Sequence, residues 1–163
     1  MGAGKSSLAP LLAQRLGCEW RDTDALIEQR IGMAGGEIIR DLGMTRFRQI
    51  EEQVACEALR QRACVIATGA GAWLSAEIRS MAATTAISIW LEAQVKTLAR
   101  RLSGSDRYLV SLCEPFTLAA RQLEERGKTY AQADLRLSTD GRTPIESVND
   151  ILACIADPRL QLF

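Results

Sequence analysis

The sequence contains no histidine. Ser-His and Cys-His catalytic arrangements are therefore excluded, and charge handling falls to carboxylates, lysine and arginine. Net charge is also missing, because 20 Lys plus Arg balance 20 Asp plus Glu, so no overall field draws the chain to nucleic acid or an anionic membrane. No apolar run approaches the roughly 20 residues that span a bilayer, and the N-terminus lacks an apolar signal-peptide core, so a cytoplasmic protein is expected. The cysteines Cys18, Cys56, Cys64, Cys113 and Cys154 show no C-x-x-C spacing, which argues against a disulfide framework or a zinc site. Repeats, low-complexity tracts and linkers are absent, and 163 residues at 47% hydrophobic suit one domain with a sizeable core.

What is present begins at once. Residues Met1 to Ser7 read as the downstream part of a phosphate loop, G-x-x-x-x-G-K-[ST], with Gly4-Lys5-Ser6 as its last three places. Gly2 and Gly4 let backbone N–H groups turn inward around phosphate oxygens. The pattern's first glycine would fall two places before Met1. Met1 is therefore read as an internal methionine of the loop, with a strand expected upstream.

Leu8, Leu11, Leu12 and Leu16 recur at helical spacing before Gly17, which predicts a helix opening from the loop, its N-terminal dipole facing the phosphates. A short strand is predicted at 19–22. Thr23 or Asp24 is expected to cap a helix over 25–31. Gly32, Gly35 and Gly36 precede a short helix, and Gly43 precedes a long one over 45–61. Apolar runs at 64–68 and 86–91 read as buried strands, followed respectively by a glycine loop and a helix over 93–102. Residues 103–114 read as a mobile loop, then come a helix over 116–131, a strand over 135–138, a turn at Asp140-Gly141 and a helix over 144–156. Alternating strands and helices make an α/β domain with a parallel sheet.

The motif order resembles the shikimate kinases, small P-loop kinases related to the nucleoside-monophosphate kinases. Their landmarks are the phosphate loop, D-T-D, F-R-x-x-E, T-G-G-G-A, a lid R-P-L and a later R-x-P-L-Y. Here they stand as Gly2 to Ser7, Asp22-Thr23-Asp24, Phe47-Arg48-Gln49-Ile50-Glu51, Thr68-Gly69-Ala70-Gly71-Ala72, Arg107-Tyr108-Leu109 and Arg126-Gly127-Lys128-Thr129-Tyr130. Ala70 takes the place of the family's middle glycine, where a methyl is expected to crowd the substrate or forbid a positive-φ backbone, and Tyr108 replaces the lid proline.

The resemblance implies a three-layer α/β/α P-loop kinase fold over 1–163, its central first strand missing from this chain, with a substrate region at 23–61 and a lid at 103–114. It implies ATP-dependent phosphorylation of the shikimate 3-hydroxyl, with Mg²⁺ as cofactor and a monomer as the working form. Gly2, Ala3, Gly4, Lys5, Ser6 and Ser7 would hold ATP, and Lys5 and Arg107 would neutralise the charge of the transferred group. Ser6, with Asp22, would hold Mg²⁺. Asp24 would orient or deprotonate the acceptor hydroxyl. Arg48 and Arg126 would clamp the carboxylate, Gly69, Ala70 and Gly71 would present backbone to the ring, and Glu51 would fix Arg48.

Two other functions fit the same motifs: a ligand-binding module with little turnover, and a P-loop kinase for another small hydroxylated metabolite. On spacing alone, Arg48 and Glu51 are an exposed helix pair, Arg126 sits on a charged helix face, and Arg100 and Arg101 are a solvated helix end. Arg142 would approach the adenine side, as an arginine near this position does in some relatives. Trp20, Trp73 and Trp90 are expected to pack rather than stack on a base.

Overall fold

Glycine punctuation sets the first helix at both ends. Gly4 turns the chain with a φ of 96° and Gly17 stops it with a φ of 67°, bounding α1 (Lys5–Leu16). A computed structural model describes residues 1–103 and 108–156. In order, the remaining elements are β1 (Glu19–Asp22), α2 (Thr23–Ile31), α3 (Gly35–Leu59), β2 (Cys64–Ala67), a 3-10 turn at Ala72–Leu74 and α4 (Ala76–Thr85). They continue as β3 (Ile89–Glu92), α5 (Val95–Leu102), α6 (Tyr108–Ser111), α7 (Pro115–Tyr130), β4 (Leu135–Ser138) and α8 (Pro144–Ile155).

Several expectations are corrected. The cap of α2 is Asp22, whose carboxylate accepts the Asp24 N–H, so Thr23 and Asp24 both lie inside the helix. The two helices expected around Gly43 form one element broken at that residue, where φ is 85° and ψ 159°. Helix α4 was not anticipated, although Ser75 caps it by accepting the Ile78 N–H. Strand β3 begins at Ile89 rather than Ala86, and the stretch expected to be one loop at 103–114 contains α6. Trp20 is 42% exposed and so is not a core residue.

The strands form two parallel pairs. β1 runs beside β2 with Asp22 opposite Ala67, and β3 beside β4 with Glu92 opposite Ser138. Among the described residues, β2 and β3 are not hydrogen-bonded to each other. A shared helical layer joins the pairs instead. Leu8 and Leu12 of α1 pack with Val148 and Ile151 of α8, and against this cluster lie Val65 of β2, Ile89 and Leu91 of β3 and Leu137 of β4. A second cluster packs α2 on α3 through Ile27, Ile38, Phe47, Ile50 and Val54. A third places Ala55, Cys56 and Leu59 of α3 against Ala72, Ile78 and Ala82. Because β1 and β2 end together, residues 22–24 and 68–71 leave the same sheet edge side by side. In an open α/β sheet that carboxyl edge is where ligands bind.

Candidate active site

Two neighbouring regions meet at this edge. The first is a groove of about 430 Å³ walled by Gly2 through Leu8, with Arg101 of α5, Thr139 and Arg142 facing them. The start of α1 supplies the phosphate-loop residues, and the leading N–H groups of any helix have no intrahelical acceptor. Arg101 ties the groove together. Its guanidinium donates to the Thr139 hydroxyl and carbonyl, each at 2.9 Å, and to the Gly2 carbonyl at 3.4 Å. The solvated helix end read from the sequence is therefore wrong for Arg101. Its reach of 99 residues along the chain leaves no local signal. Arg142 lines the same groove and pairs with Asp150 at 3.5 Å.

Asp22 links the groove to the second region. One carboxylate oxygen accepts the Ser6 hydroxyl at 3.1 Å, and the other accepts the Asp24 N–H at 2.9 Å. A hydroxyl beside a carboxylate is a hard, all-oxygen donor set of the kind that suits Mg²⁺, which keeps several waters and takes few protein ligands. No group of three or more Cys, Asp or Glu among the described residues could hold a metal by itself.

The second region interlocks four segments. Thr23, fully buried, accepts the Gly69 N–H at 2.9 Å. A Cβ on Gly69 would stand 2.9 Å from an oxygen of Asp24 and closer still to Glu51. A Cβ on Gly71 would fall within 2.5 Å of three guanidinium atoms of Arg48. Both glycines are thus required by close approach rather than by backbone angle. Arg48 and Glu51, one helical turn apart on α3, form a short ion pair. Its carboxylate end is buried and its guanidinium end is 30% exposed, so the arginine keeps a face toward solvent while the glutamate fixes its direction. From α7, Arg126 donates to the Ala70 carbonyl at 3.4 Å and the Tyr130 hydroxyl donates to the same oxygen. Ala70 is not among the residues with positive φ, so its methyl sits on ordinary backbone and the expected conflict with a positive φ does not arise.

The structure therefore gathers Asp22, Asp24, Arg48, Gly69, Ala70, Gly71 and Arg126 at one edge, and Gly2, Ala3, Gly4, Lys5, Ser6 and Ser7 in the adjoining groove. Arg107 lies outside the described residues.

Glu51 carries an unusual electrostatic load. Burial pushes its carboxyl up, Asp24 adds to the push, and Arg48 and Arg126 pull the other way without cancelling it. A folded value raised above the unfolded one stabilises the fold below the ordinary 4.5, and that contribution is lost as pH rises through the raised value. Relative to the parent, Glu51→Gln is expected to gain stability as pH rises across that window, measured by urea unfolding between about pH 4 and 7. A stability difference that does not change with pH would contradict this.

A family model described as shikimate kinase matches residues 1–156 of the chain. A shikimate kinase of Geobacter metallireducens is 37% identical over 154 residues, covering 94% of this chain and 84% of that protein. One of Persephonella marina is 35% identical, covering 95% and 94% respectively. Among solved structures, the shikimate kinase of Acinetobacter baumannii in complex with shikimate superposes with a TM-score of 0.92 at 29% identity, covering 99% of this chain and 91% of that one. The Bacteroides thetaiotaomicron shikimate kinase gives 0.87 at 26% identity, covering 95% and 93%.

Proposed function

The chain belongs to the shikimate kinase family, and we propose that its two adjoining regions divide donor and acceptor between them. The reaction is ATP-dependent phosphorylation of shikimate, and the hydroxyl addressed is the one at position 3. The observation that carries the assignment of the acceptor side is the wedging of Gly71 against Arg48, with Glu51 locking that arginine and Arg126 approaching the same loop from α7. Two guanidinium groups around a small loop suit a planar carboxylate, which a fork of N–H donors binds better than an ammonium does.

Phosphoryl transfer needs positioning and charge neutralisation more than covalent help from the protein. Ser6 and Asp22, already hydrogen-bonded to each other, would hold Mg²⁺, which would supply positive charge at the phosphate oxygens. Lys5, with Gly2, Ala3, Gly4, Ser6 and Ser7, holds the phosphates in the groove and neutralises charge as it builds on the transferred group. Asp24 holds the attacking hydroxyl, orienting it or taking its proton, while Glu51 beside the same loop is engaged by Arg48. Gly69, Ala70 and Gly71 pack flat against the ring. Arg107 is assigned to a lid over 103–114 that adds a second positive charge and excludes water on closure.

One domain over 1–163 carries this, with 23–61 as the acceptor-binding region. Both regions come from one chain, which favours a monomer, a point that light scattering tests. No helix among the described residues is long and apolar enough to cross a membrane, and a cytoplasmic location is proposed.

A coupled ADP-release assay tests the assignment. Release must depend on shikimate, and Arg126→Ala is expected to raise the shikimate KM about thirtyfold, the loss of a charge-assisted pair, while the ATP KM stays within about twofold. ADP release indifferent to shikimate would overturn it.

A further inference from the structure

The loop that backs the two arginines is fastened to the end of α7 at two points. The Tyr130 hydroxyl donates to the Ala70 carbonyl, and the indole N–H of Trp73, two residues beyond the loop, donates to the Thr129 carbonyl at 3.0 Å. Tyr130 is itself held from behind. Its ring lies 5.9 Å from that of Trp90 at a 48° tilt, and Arg136 stacks 4.8 Å over Trp90 while pairing with Glu92 at 2.6 Å. Trp90, itself held by Arg136, thus backs the Tyr130 ring on one side.

Arg126 stands one helical turn before Tyr130 and reaches the same carbonyl oxygen at 3.4 Å, the outer limit of a hydrogen bond. A carbonyl has room for two donors, and here the phenol is the shorter one. With the phenol satisfying that oxygen, most of the Arg126 fork is left to an anion. Without it, the only donor that oxygen retains among the described residues is Arg126, which would close on the carbonyl and turn from the acceptor. Gly71, next along the loop, bears on Arg48, so any shift of Ala70 also disturbs the second arginine.

We propose that Tyr130 is a positioning residue for acceptor binding. Through the Ala70 carbonyl it sets the 69–71 loop between Arg48 and Arg126 and keeps Arg126 available to a carboxylate. The proposal rests on reading these arginines as the carboxylate clamp, so its test has one readout that depends on that reading and one that does not.

The independent readout is amide hydrogen exchange of the ligand-free protein. Tyr130→Phe is expected to speed exchange in residues 69–74 and leave residues 89–92 unchanged. The dependent readout is kinetic. Losing one hydrogen bond to a partly buried backbone acceptor is expected to raise the shikimate KM about five- to tenfold, with kcat and the ATP KM within about twofold. Incorporating 4-aminophenylalanine at position 130, which restores an N–H donor on the same ring, is expected to recover most of the loss. Unchanged exchange in 69–74 overturns the proposal whatever the acceptor proves to be. A fall in kcat and thermal midpoint together with a rise in both KM values also overturns it, since that is what a packing role alone produces. Faster exchange with no shikimate-dependent turnover even in the parent would retain the pinning of the loop and reject the clamp, and with it the role in acceptor binding.

Discussion

Lys5→Ala is expected to lower kcat about a thousandfold, within the range seen when a positive group is removed from a phosphoryl-transfer site. The side chain stands on the first residue of α1 and lines the groove with Ser6 and Ser7. Charge there acts at close range on the phosphate oxygens, where Coulomb attraction is largest. Deletion leaves the backbone cradle standing, since the turn at Gly4 and the helix behind it do not depend on a side chain at position 5. The ATP KM should therefore rise only about tenfold and the thermal midpoint change by no more than about 2 °C. Lys5→Arg should recover little, because a planar fork does not reproduce a compact ammonium at a crowded phosphate. Steady-state kinetics with both substrates varied, beside a thermal melt, decides the matter. A kcat within about tenfold of the parent would remove Lys5 from the chemistry.

Gly71→Ala is the second large effect, and it arrives by a different route. The added methyl carbon would lie within 2.5 Å of Nη1, Cζ and Nη2 of Arg48, so either the arginine leaves or the loop retreats. If Arg48 leaves, the buried Glu51 carboxylate loses its partner, and an uncompensated buried charge is strongly destabilising. If the loop retreats, the Thr23 bond to Gly69 and the two donors on Ala70 are strained together. Either way kcat/KM for shikimate should fall about a hundredfold, and overpacking should cost about 1–3 kcal/mol of stability. Gly127→Ala is a fair control, because a methyl there would meet nothing nearer than Leu123 at 4.0 Å. Equal kinetics for the two variants would show that the glycine at 71 is not there for Arg48.

The sequence already showed which residues would gather, and the reason is chemical. A glycine loop running into α1 announces itself by residue type, and β1, β4 and the ends of α1 fall where the apolar pattern and the glycines put them. The Arg48 and Glu51 spacing marked a pair, although spacing could not tell an exposed pair from one whose carboxylate is buried. That distinction depends on α3 being covered by the 69–71 loop, a segment far along the chain. Arg101 escaped notice for the same reason, as did the bond from Tyr130 to Ala70, since both partners meet only after the strands have paired. Residues 103–114 looked irregular because four residues of helix are too few to show a period. Asp22 was passed over as a cap because its neighbours Thr23 and Asp24 are equally good capping residues by composition.

The layer shared by the two strand pairs bears on how the catalyst keeps its dimensions. Leu8 and Leu12 lie on Val148 and Ile151, with Val65, Ile89, Leu91 and Leu137 of the strands against them. The span from the Asp24 side to the Thr139 side is therefore set in part by side-chain packing, and a misplacement of about 1 Å between reacting groups costs about a hundredfold in rate. Trimming Leu12 or Ile151 would thus alter the gauge between donor and acceptor as well as the melting point.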